Sequence, residues 1–485
     1  MHVIWRVLTG LGVVISGLLA VIIFNTLRYA PEEGDLVSAA SFTLGADIDA
    51  ATQHLSEAVK IETISEDLTT PGFAEFVRYL ETTFPKTYAT LTREILPPNT
   101  PLYRWEGSDP TLAPVLLAAH YDVVPVTNDS FGRWDYPPFS GEITNGFVYG
   151  RGTLDNKGAL IAIMTAVEHL IGEGFTPKRT VYLSFGGDEE VSGNGAKAVA
   201  DYLLAQGVML EWALDEGSFV LDGVVPGLDV PVASINLAEK GYMTATLIAR
   251  SEGGHSSLPP NKTAVGDIAR AVDRLQNHQI KGGLTGVSAT FFDTLGRHFG
   301  FVQRAMFANT WLTAPLLNHV LSETNTTNAM LRTTTAPTML SGSPKENVLA
   351  TQASATINFR LHPRDTIEGV VEHIKTVIDD PDIEVIVNRD FASEASPVAD
   401  VDGIGYSDVA KSIREVFGDL AFVPGLTIAA TDARHYAKAA KNAYRINPFK
   451  VNGADIARFH GTNERLSIEN LERGVNFYGA LLLKQ

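Results

Sequence analysis

The segment from about residue 45 to residue 240 alternates between short apolar runs and stretches with helical spacing, which strongly constrains the fold. Residues 113–126 are typical of a buried strand that runs into a loop, and residues 179–187 are typical of a second buried strand. Residues 156–174 and 195–207 carry apolar side chains at helical spacing and end at a glycine. Strands that alternate with helices of this length form largely parallel α/β sheets. We therefore predict an α/β domain with a mostly parallel central sheet.

Side chains with metal-binding chemistry follow three of the predicted strands. His120 and Asp122 lie where the first strand runs into its loop, and the acids at positions 188–190 follow the second. Asp215 and Glu216 end a third short strand, predicted at residues 211–217. In open α/β sheets, ligands bind beyond the carboxyl ends of the strands. Adjacent carboxylates there are costly unless a cation lies close to them. The pattern therefore predicts a cation site at this edge of the sheet.

Two more residues extend this set. Asp155 lies among glycines just before a predicted helix, and His460 lies in a loop near the C-terminus. Each has an ordinary explanation when taken alone, since Asp155 could simply cap a helix. Together, two histidines and several carboxylates suit two zinc ions that share one carboxylate. The chain has no cysteine, which excludes thiolate ligands, cysteine nucleophiles and disulfides.

The charge balance limits the partners of the chain. There are 38 basic and 56 acidic residues, which gives a formal net charge of −18. Binding to nucleic acid requires a basic face that neutralises phosphates. We therefore expect no nucleic-acid partner.

The N-terminus departs from the pattern of a soluble protein. The 21 residues from Val7 to Leu27 carry no charge, and a bilayer needs about 20 residues to be spanned by a helix. A secretory signal peptide has a shorter apolar core and a small-residue cleavage site. We predict that residues 1–30 form a single-pass membrane anchor with the body outside the cytoplasm. A cleaved signal stays the alternative.

The pattern of predicted strands and helices changes after Lys240. Residues 241–260 and 352–363 alternate like half-exposed strands, and residues 263–278 have helical spacing. Between the helical segment at 263–278 and the strand at 352–363 lies a stretch without regular apolar spacing. It is aromatic from Phe291 to Trp311 and rich in threonine from Thr324 to Thr335. Alternating strand-like and helix-like segments return from about residue 365. We predict a second, α+β domain inserted into the first.

Seven short motifs occur in one order along the chain. They are HYDVVPV (120–126), WDYPPFSG (134–141), GFVYGRGTLDNKG (146–158), DEEVSG (188–193), LDEG (214–217), GHSSLPP (254–260) and HGTNE (460–464). From about residue 50 to the end, the chain resembles the M20 metallopeptidases. It is most similar to the carboxypeptidase S branch, which includes secreted N-acyl-amino-acid hydrolases and Gly-Xaa carboxypeptidase-like enzymes.

The resemblance implies roles for the residues at the strand ends. Two zinc ions per chain would be held by His120, Asp155 and Asp215 on one side, and by Asp155, Glu190 and His460 on the other. Asp122 would orient His120, and Glu189 would be the general base. The ligand at the third strand could instead be Glu216, the neighbour of Asp215.

The resemblance also implies a domain plan. A ferredoxin-like lid of four strands and two helices would occupy residues 241–362, between catalytic segments at 45–240 and 363–485. In the lid, His255 would polarise the scissile carbonyl, Arg360 would pair with a substrate carboxylate, and Asn347 would assist. Lids of this family often form homodimers, although the long insertion here could block pairing.

The predicted reaction is hydrolysis of an amide bond next to a free carboxylate, by a carboxypeptidase or an N-acyl-amino-acid amidohydrolase. The alternatives are another metal-dependent dipeptidase or deacetylase and a membrane-anchored binding protein without catalysis. The sequence leaves the acyl group open. The anchor and the apolar stretch at 290–317 favour a lipid-like acyl chain.

Overall fold

The computed structural model describes residues 2–31 and 42–485. The N-terminal helix α1 (His2–Arg28) is apolar along its length, and the segment Ile4–Arg28 is long and apolar enough to cross a membrane. A signal sequence would meet the same criterion. The other described residues form a large sheet with helices on its faces and a separate, smaller sheet.

The first catalytic segment alternates helices and strands as predicted. Its elements are α2 (Ile48–Lys60), α3 (Pro71–Thr83), α4 (Pro85–Thr90), β1 (Thr92–Leu96), β2 (Thr100–Trp105), β3 (Val115–His120), β4 (Glu142–Thr144), β5 (Phe147–Tyr149), α5 (Lys157–Gly172), β6 (Val181–Gly186), α6 (Asn194–Ala205), β7 (Leu210–Asp215), β8 (Val220–Leu221) and β9 (Val232–Glu239).

The lid segment and the second catalytic segment follow. The lid elements are β10 (Gly241–Arg250), β11 (Gly254–His255), α7 (Ala264–Asn277), α8 (Val287–Arg297), α9 (Phe301–Ala308), α10 (Thr310–Ser322), α11 (Asn325–Leu331), β12 (Thr334–Ser341), β13 (Val348–Leu349), β14 (Gln352–Leu361), α12 (Ile367–Ile378) and β15 (Glu384–Val387). The second catalytic segment contains α13 (Ile404–Phe417), β16 (Ala421–Thr427), α14 (Ala433–Tyr436), β17 (Ala440–Arg445), β18 (Lys450–Val451), α15 (Gly453–Ile456), β19 (Arg465–Ser467) and α16 (Ile468–Leu482).

The large sheet has a parallel centre. Strands β6, β3, β7 and β17 are adjacent and parallel, and their side chains are almost all buried because helices cover both faces. Antiparallel pairs flank this centre, at β1–β2–β6 on one side and at β17–β9 and β9–β8 on the other. The predicted α/β fold with a mostly parallel central sheet is confirmed, and the antiparallel pairs make the sheet as a whole mixed.

The parallel register brings the predicted site residues to one edge. His120 at the end of β3 pairs with Gly186 at the end of β6, just before the three acids. Asp215 at the end of β7 pairs with Arg445 at the end of β17. Loops that leave these strands therefore begin side by side, as the sequence analysis assumed.

The lid is an antiparallel sheet in the order β12-β14-β10-β15, with α7 and α12 packed on it. Numbered along the chain, these strands lie in the order 2-3-1-4, the arrangement of a ferredoxin-like fold. Because α12 and β15 complete this unit, the boundary predicted at residue 362 falls inside it. The lid sheet and its helices extend to Val387.

The stretch expected to be irregular is helical, which corrects the sequence analysis. It forms α8 to α11 between α7 and β12. Gly286 and Gly300 precede α8 and α9, and Pro315 lies inside α10, so the apolar periodicity is interrupted every 8 to 13 residues. Leu295 of α8 packs with Val423 of β16 and thereby attaches these helices to the catalytic sheet.

Candidate functional site

The Asp155 carboxylate lies between the two predicted imidazole ligands. Its Oδ1 atom is 3.0 Å from Nε2 of His120, and its Oδ2 atom is 2.8 Å from Nε2 of His460. His120 ends β3, Asp155 precedes α5, and His460 follows α15. The fold thus brings His460 to a carboxylate that lies 305 positions earlier in the chain. This is the arrangement that a shared metal ligand requires.

Each imidazole also faces a second carboxylate. Oε1 of Glu216 is 3.4 Å from Nε2 of His120, and Oε2 of Glu190 is 3.3 Å from Nε2 of His460. Tetrahedral zinc with ligands about 2.0–2.1 Å away holds them roughly 3.3 Å apart, which matches these spacings. Oε1 of Glu190 has no hydrogen-bond partner among the described residues, so an acceptor remains free. The residues therefore fit a metal ion beside each histidine.

The titration of the cluster follows from these contacts. Hydrogen bonds to Asp155 and Glu190 raise the pKa of His460 to about 10. Burial lowers the pKa of His120, but Glu216 and neighbouring aspartates outweigh burial and raise the pKa well above its usual value. Burial favours protonated Asp155, yet both imidazoles hold its pKa below the usual range. Positive charge between the acids is thus what stabilises the cluster.

Asp122 connects His120 to the acidic turn. Nδ1 of His120 lies 3.0 Å from the Asp122 carbonyl oxygen and 3.4 Å from its Oδ1 atom. The Asp122 carboxylate also accepts the backbone N–H groups of Glu189 at 3.2 Å and Glu190 at 3.1 Å. A donor role for Nδ1 leaves Nε2 free to face a metal ion. Asp122 is therefore placed to orient the ring and the acids together.

Asp188, the first of the three acids, is fully buried and caps α6. Its carboxylate accepts the backbone N–H of Asn194 at 2.7 Å and of Gly195 at 3.0 Å. The turn between them includes Gly193 at φ 64°, where a Cβ atom would lie 2.3 Å from the Asp432 carboxylate. Asp188 therefore holds the shape of the turn that carries Glu189 and Glu190.

Glu464 is a site residue that the sequence analysis did not identify. Its buried carboxylate accepts three backbone N–H groups between Gly152 and Asp155, at 2.9 to 3.2 Å. Nη1 of the buried Arg151 donates to the same carboxylate at 2.6 Å. Glu464 thereby fixes the loop that presents Asp155. The only signal in the sequence is that an acid follows His460 by four residues in the same loop.

The structure separates the two candidates at the end of β7. Glu216 lies within ligand distance of His120, in one cluster with Glu189, whereas Asp215 joins no such cluster in the described part of the chain. Burial raises the pKa of Asp215 to about 6 and that of Glu216 to about 8. Of the two alternatives, the geometry favours Glu216.

A cavity of ≈ 360 Å³ opens on this cluster. The acids and the imidazole that line it are Asp155, Glu189, Glu190, Glu216 and His460. The rest of the wall is largely apolar and includes Leu154, Phe219, Val451, Ile456 and Phe459. Burial raises the pKa of Glu189 well above its usual value, against the opposing charge of His120. Glu189 is thus a carboxyl group suited to taking up a proton.

The predicted lid residues are not assembled with this cluster. His255 is exposed and its Nδ1 atom is 2.8 Å from Oγ of Ser257. The Asn347 carbonyl accepts the N–H of Ser256, so His255 and Asn347 are neighbours in the lid. Neither residue is among the described residues that line the cavity.

Arg360 lies on β14 with its guanidinium 4.9 Å from the ring centre of Tyr242. Burial lowers the pKa of Arg360, Tyr242 raises it, and the charge of Arg434 lowers it, so Arg360 interacts electrostatically with the segment that follows β16. Arg434 follows β16 and donates through Nη2 to the Ser192 carbonyl oxygen, 3.1 Å away in the acidic turn. Arg360 is therefore the predicted lid residue that approaches the catalytic loops.

Comparison of the chain with known proteins identifies its family. Residues 116–484 match the model of peptidase family M20/M25/M40. The N-fatty-acyl-amino acid synthase/hydrolase PM20D1 of Xenopus tropicalis is 38% identical over 89% of this chain and 85% of its own length. The probable carboxypeptidase S-like 2 of Dictyostelium discoideum is 36% identical over 96% of this chain and 92% of its own length.

Solved structures agree on the fold. The M20 family metallo-carboxypeptidase Sso-CP2 of Sulfolobus solfataricus has a TM-score of 0.63, covers 89% of this chain and 98% of its own, and is 20% identical. The family match, the relatives and the metal-binding cluster together support a hydrolytic, metal-dependent enzyme. The chain belongs to peptidase family M20/M25/M40.

Proposed function

We propose that this hydrolase cleaves an amide bond next to a C-terminal amino acid carboxylate, with two zinc ions per chain. The observation that carries the proposal is the Asp155 carboxylate, which is shared by two imidazoles and lines a largely apolar cavity. His120, Asp155 and Glu216 would hold one ion, and Asp155, Glu190 and His460 the other. When bound, the ions supply Lewis-acid chemistry that acidifies water and polarises the carbonyl.

Glu189 is assigned the proton transfers. It takes a proton from the attacking water, the oxygen adds to the carbonyl carbon, and the C–N bond breaks. Glu189 then gives the proton to the leaving amine, so the products are a carboxylate and an amino acid. The raised pKa of Glu189 supports this role, because a general base works best when its pKa approaches the working pH.

Arg360 is assigned to the substrate carboxylate. A guanidinium group suits this role because its planar fork can bind both oxygens of a carboxylate. The proximity of Arg434 adds a second positive charge on the same side. His255 and Asn347 keep their predicted roles as a carbonyl electrophile and an assisting residue. Those roles require the lid to move toward the cavity.

The apolar wall of the cavity supports an apolar acyl group. Phe219, Val451, Ile456 and Phe459 offer hydrocarbon surface within one cavity with the metal ligands. The similar relatives named N-fatty-acyl-amino acid synthase/hydrolase point to the same substrate class. An N-fatty-acyl amino acid is therefore the substrate that we favour.

A panel of substrates tests this function in the purified chain supplied with zinc. We expect N-octanoyl amino acids to be hydrolysed with a kcat/KM at least about tenfold above N-acetyl amino acids, because each buried methylene contributes about 0.8 kcal/mol. Substrates whose carboxylate is replaced by a carboxamide should lose about tenfold or more, since they lose a charge-assisted hydrogen bond. Preference for acetylated amines or for dipeptides cleaved at the N-terminus would contradict the proposal.

The ligand at the end of β7 is tested by two matched variants. Glu216→Gln should lower the zinc content to about one ion per chain and reduce kcat, because a charged ligand beside His120 is lost. Asp215→Asn makes the same change from carboxylate to carboxamide at the adjacent residue. This variant should keep two zinc ions per chain. Metal analysis after dialysis measures both. The reverse pattern would assign the ligand to Asp215 instead.

We also propose that α1 anchors the chain with its catalytic body outside the cytoplasm. The length and apolar character of Ile4–Arg28 support an anchor. A homodimer through the lid stays a prediction.

A further inference from the structure

The helix α10 exposes an apolar face to solvent. Leu312, Leu316 and Val320, spaced four residues apart, are about half exposed, and Trp311 beside them is 59% exposed. Leu317, on another side of the helix, is buried. The exposed side of α10 also carries His319, whose exposed side chain lies 3.8 Å from that of Glu323, so the apolar surface is a row of side chains rather than the whole helix. Exposed apolar surface of this kind marks a site of contact with a protein or a membrane. We therefore expect the exposed face of α10 to contact another apolar surface.

Polar contacts join this part of the lid to α1. Nδ2 of Asn25 donates to Oδ1 of Asn309, 2.9 Å away, and Asn309 in turn donates to the Ile22 carbonyl oxygen at 3.4 Å. Thr26 is fully buried at the same contact. Immediately after α1, the Tyr29 hydroxyl donates to the Asp293 carbonyl oxygen. Residues of α1 at helical spacing thus pack on the junction of α9 and α10.

The contact fixes the depth of α10 relative to α1. Ile22 lies six residues before Arg28, which is about 9 Å along a helix axis. If α1 spans a bilayer with Arg28 at its boundary, Asn309 lies about 5–10 Å below that boundary, the depth at which interfacial helices bind. The paired amides of Asn25 and Asn309 suit this depth, because an unpaired amide is costly in hydrocarbon.

We propose that α10 is an interfacial membrane helix, whose face of Trp311, Leu312, Leu316 and Val320 inserts into the same leaflet as the C-terminal end of α1. The partner of this face is therefore the lipid bilayer. Continuity with α1 decides for lipid, since the exposed apolar side chains of α1 and the N-terminal end of α10 are joined at Asn309. Trp311 is an aromatic residue typical of such boundaries. The proposal rests on α1 remaining attached as an anchor.

The absence of cysteine from the chain allows a direct test. The full chain is reconstituted in phospholipid nanodiscs with one spin label at a time, at Leu316→Cys, Val14→Cys or Leu204→Cys. Val14 lies in the middle of α1, and Leu204 is exposed on α6 of the catalytic domain. Collision with oxygen, which concentrates in lipid, is compared with collision with a neutral, water-soluble nickel chelate.

The oxygen-to-nickel accessibility ratio at Leu316→Cys should exceed that at Leu204→Cys several-fold and approach that at Val14→Cys. A ratio equal to that at Leu204→Cys overturns the proposal. Low access to both reagents would also overturn it, because a protein surface then covers the face. If the accessibility ratio at Val14→Cys equals that at Leu204→Cys, α1 does not lie in the bilayer and the proposal is overturned. Hydrolysis of a water-soluble N-acyl amino acid, measured on the same samples, tests the proposed function separately.

Discussion

Glu189→Gln should reduce kcat by about 10²–10⁴-fold while the zinc content stays at the wild-type value. The substitution preserves the size of the side chain and the backbone N–H that Asp122 accepts, so the turn keeps its shape. It removes the carboxylate that takes the proton from water. Initial rates with an N-acyl amino acid, together with metal analysis of the same preparation, measure both quantities.

The adjacent acid provides the control. Glu190→Gln should lower the zinc content as well as the rate, because Glu190 faces His460 as a ligand. The contrast matters because Glu189 also lies within ligand distance of His120 and Glu216. If Glu189→Gln loses zinc to the same extent as Glu190→Gln, Glu189 binds metal and another group must move the proton.

Much of this site follows from the sequence because parallel strands impose a common edge. Once β3, β6 and β7 are recognised as neighbouring buried strands, the residues after them must lie close together. His120 and the acids at 188–190 could therefore be placed without coordinates. His460 could be placed only through the family resemblance, because it lies in a loop 305 positions after Asp155 in the sequence.

What the sequence did not reveal depends on contacts between loops. Asp188 and Glu464 are acids like their neighbours, yet one caps α6 and the other holds the N–H groups of the Asp155 loop. Such roles are set by which backbone groups lie unpaired nearby, and composition does not encode that. The same holds for Asp215 and Glu216, where the direction of the side chain at the strand end decides which one reaches His120.

Removing the metal should abolish hydrolysis, and rebinding should release protons. In the metal-free chain, carboxylates raise the pKa of His460 to about 10 and that of His120 well above 6.5. His460 therefore carries a proton at pH 8 and must lose it to bind a metal ion, and a pKa of about 8 leaves Glu216 partly protonated as well. We expect at least one proton to be released as zinc binds at pH 8. Calorimetric titration in two buffers of different ionisation enthalpy counts the protons released.

The direction of the pH dependence follows from the same contacts. A histidine whose pKa is raised by folding stabilises the metal-free chain fully below about pH 6.5, and this contribution is lost as the pH rises through about 10. The Tm of the metal-free chain should therefore fall between pH 7 and pH 10 more than the Tm of the zinc-loaded chain, while zinc affinity rises. His460→Asn is the matched control, because it removes the imidazole that releases a proton as zinc binds. Equal heats in both buffers would mean that the imidazoles are already neutral, and the charge balance inferred for the Asp155 cluster would be wrong.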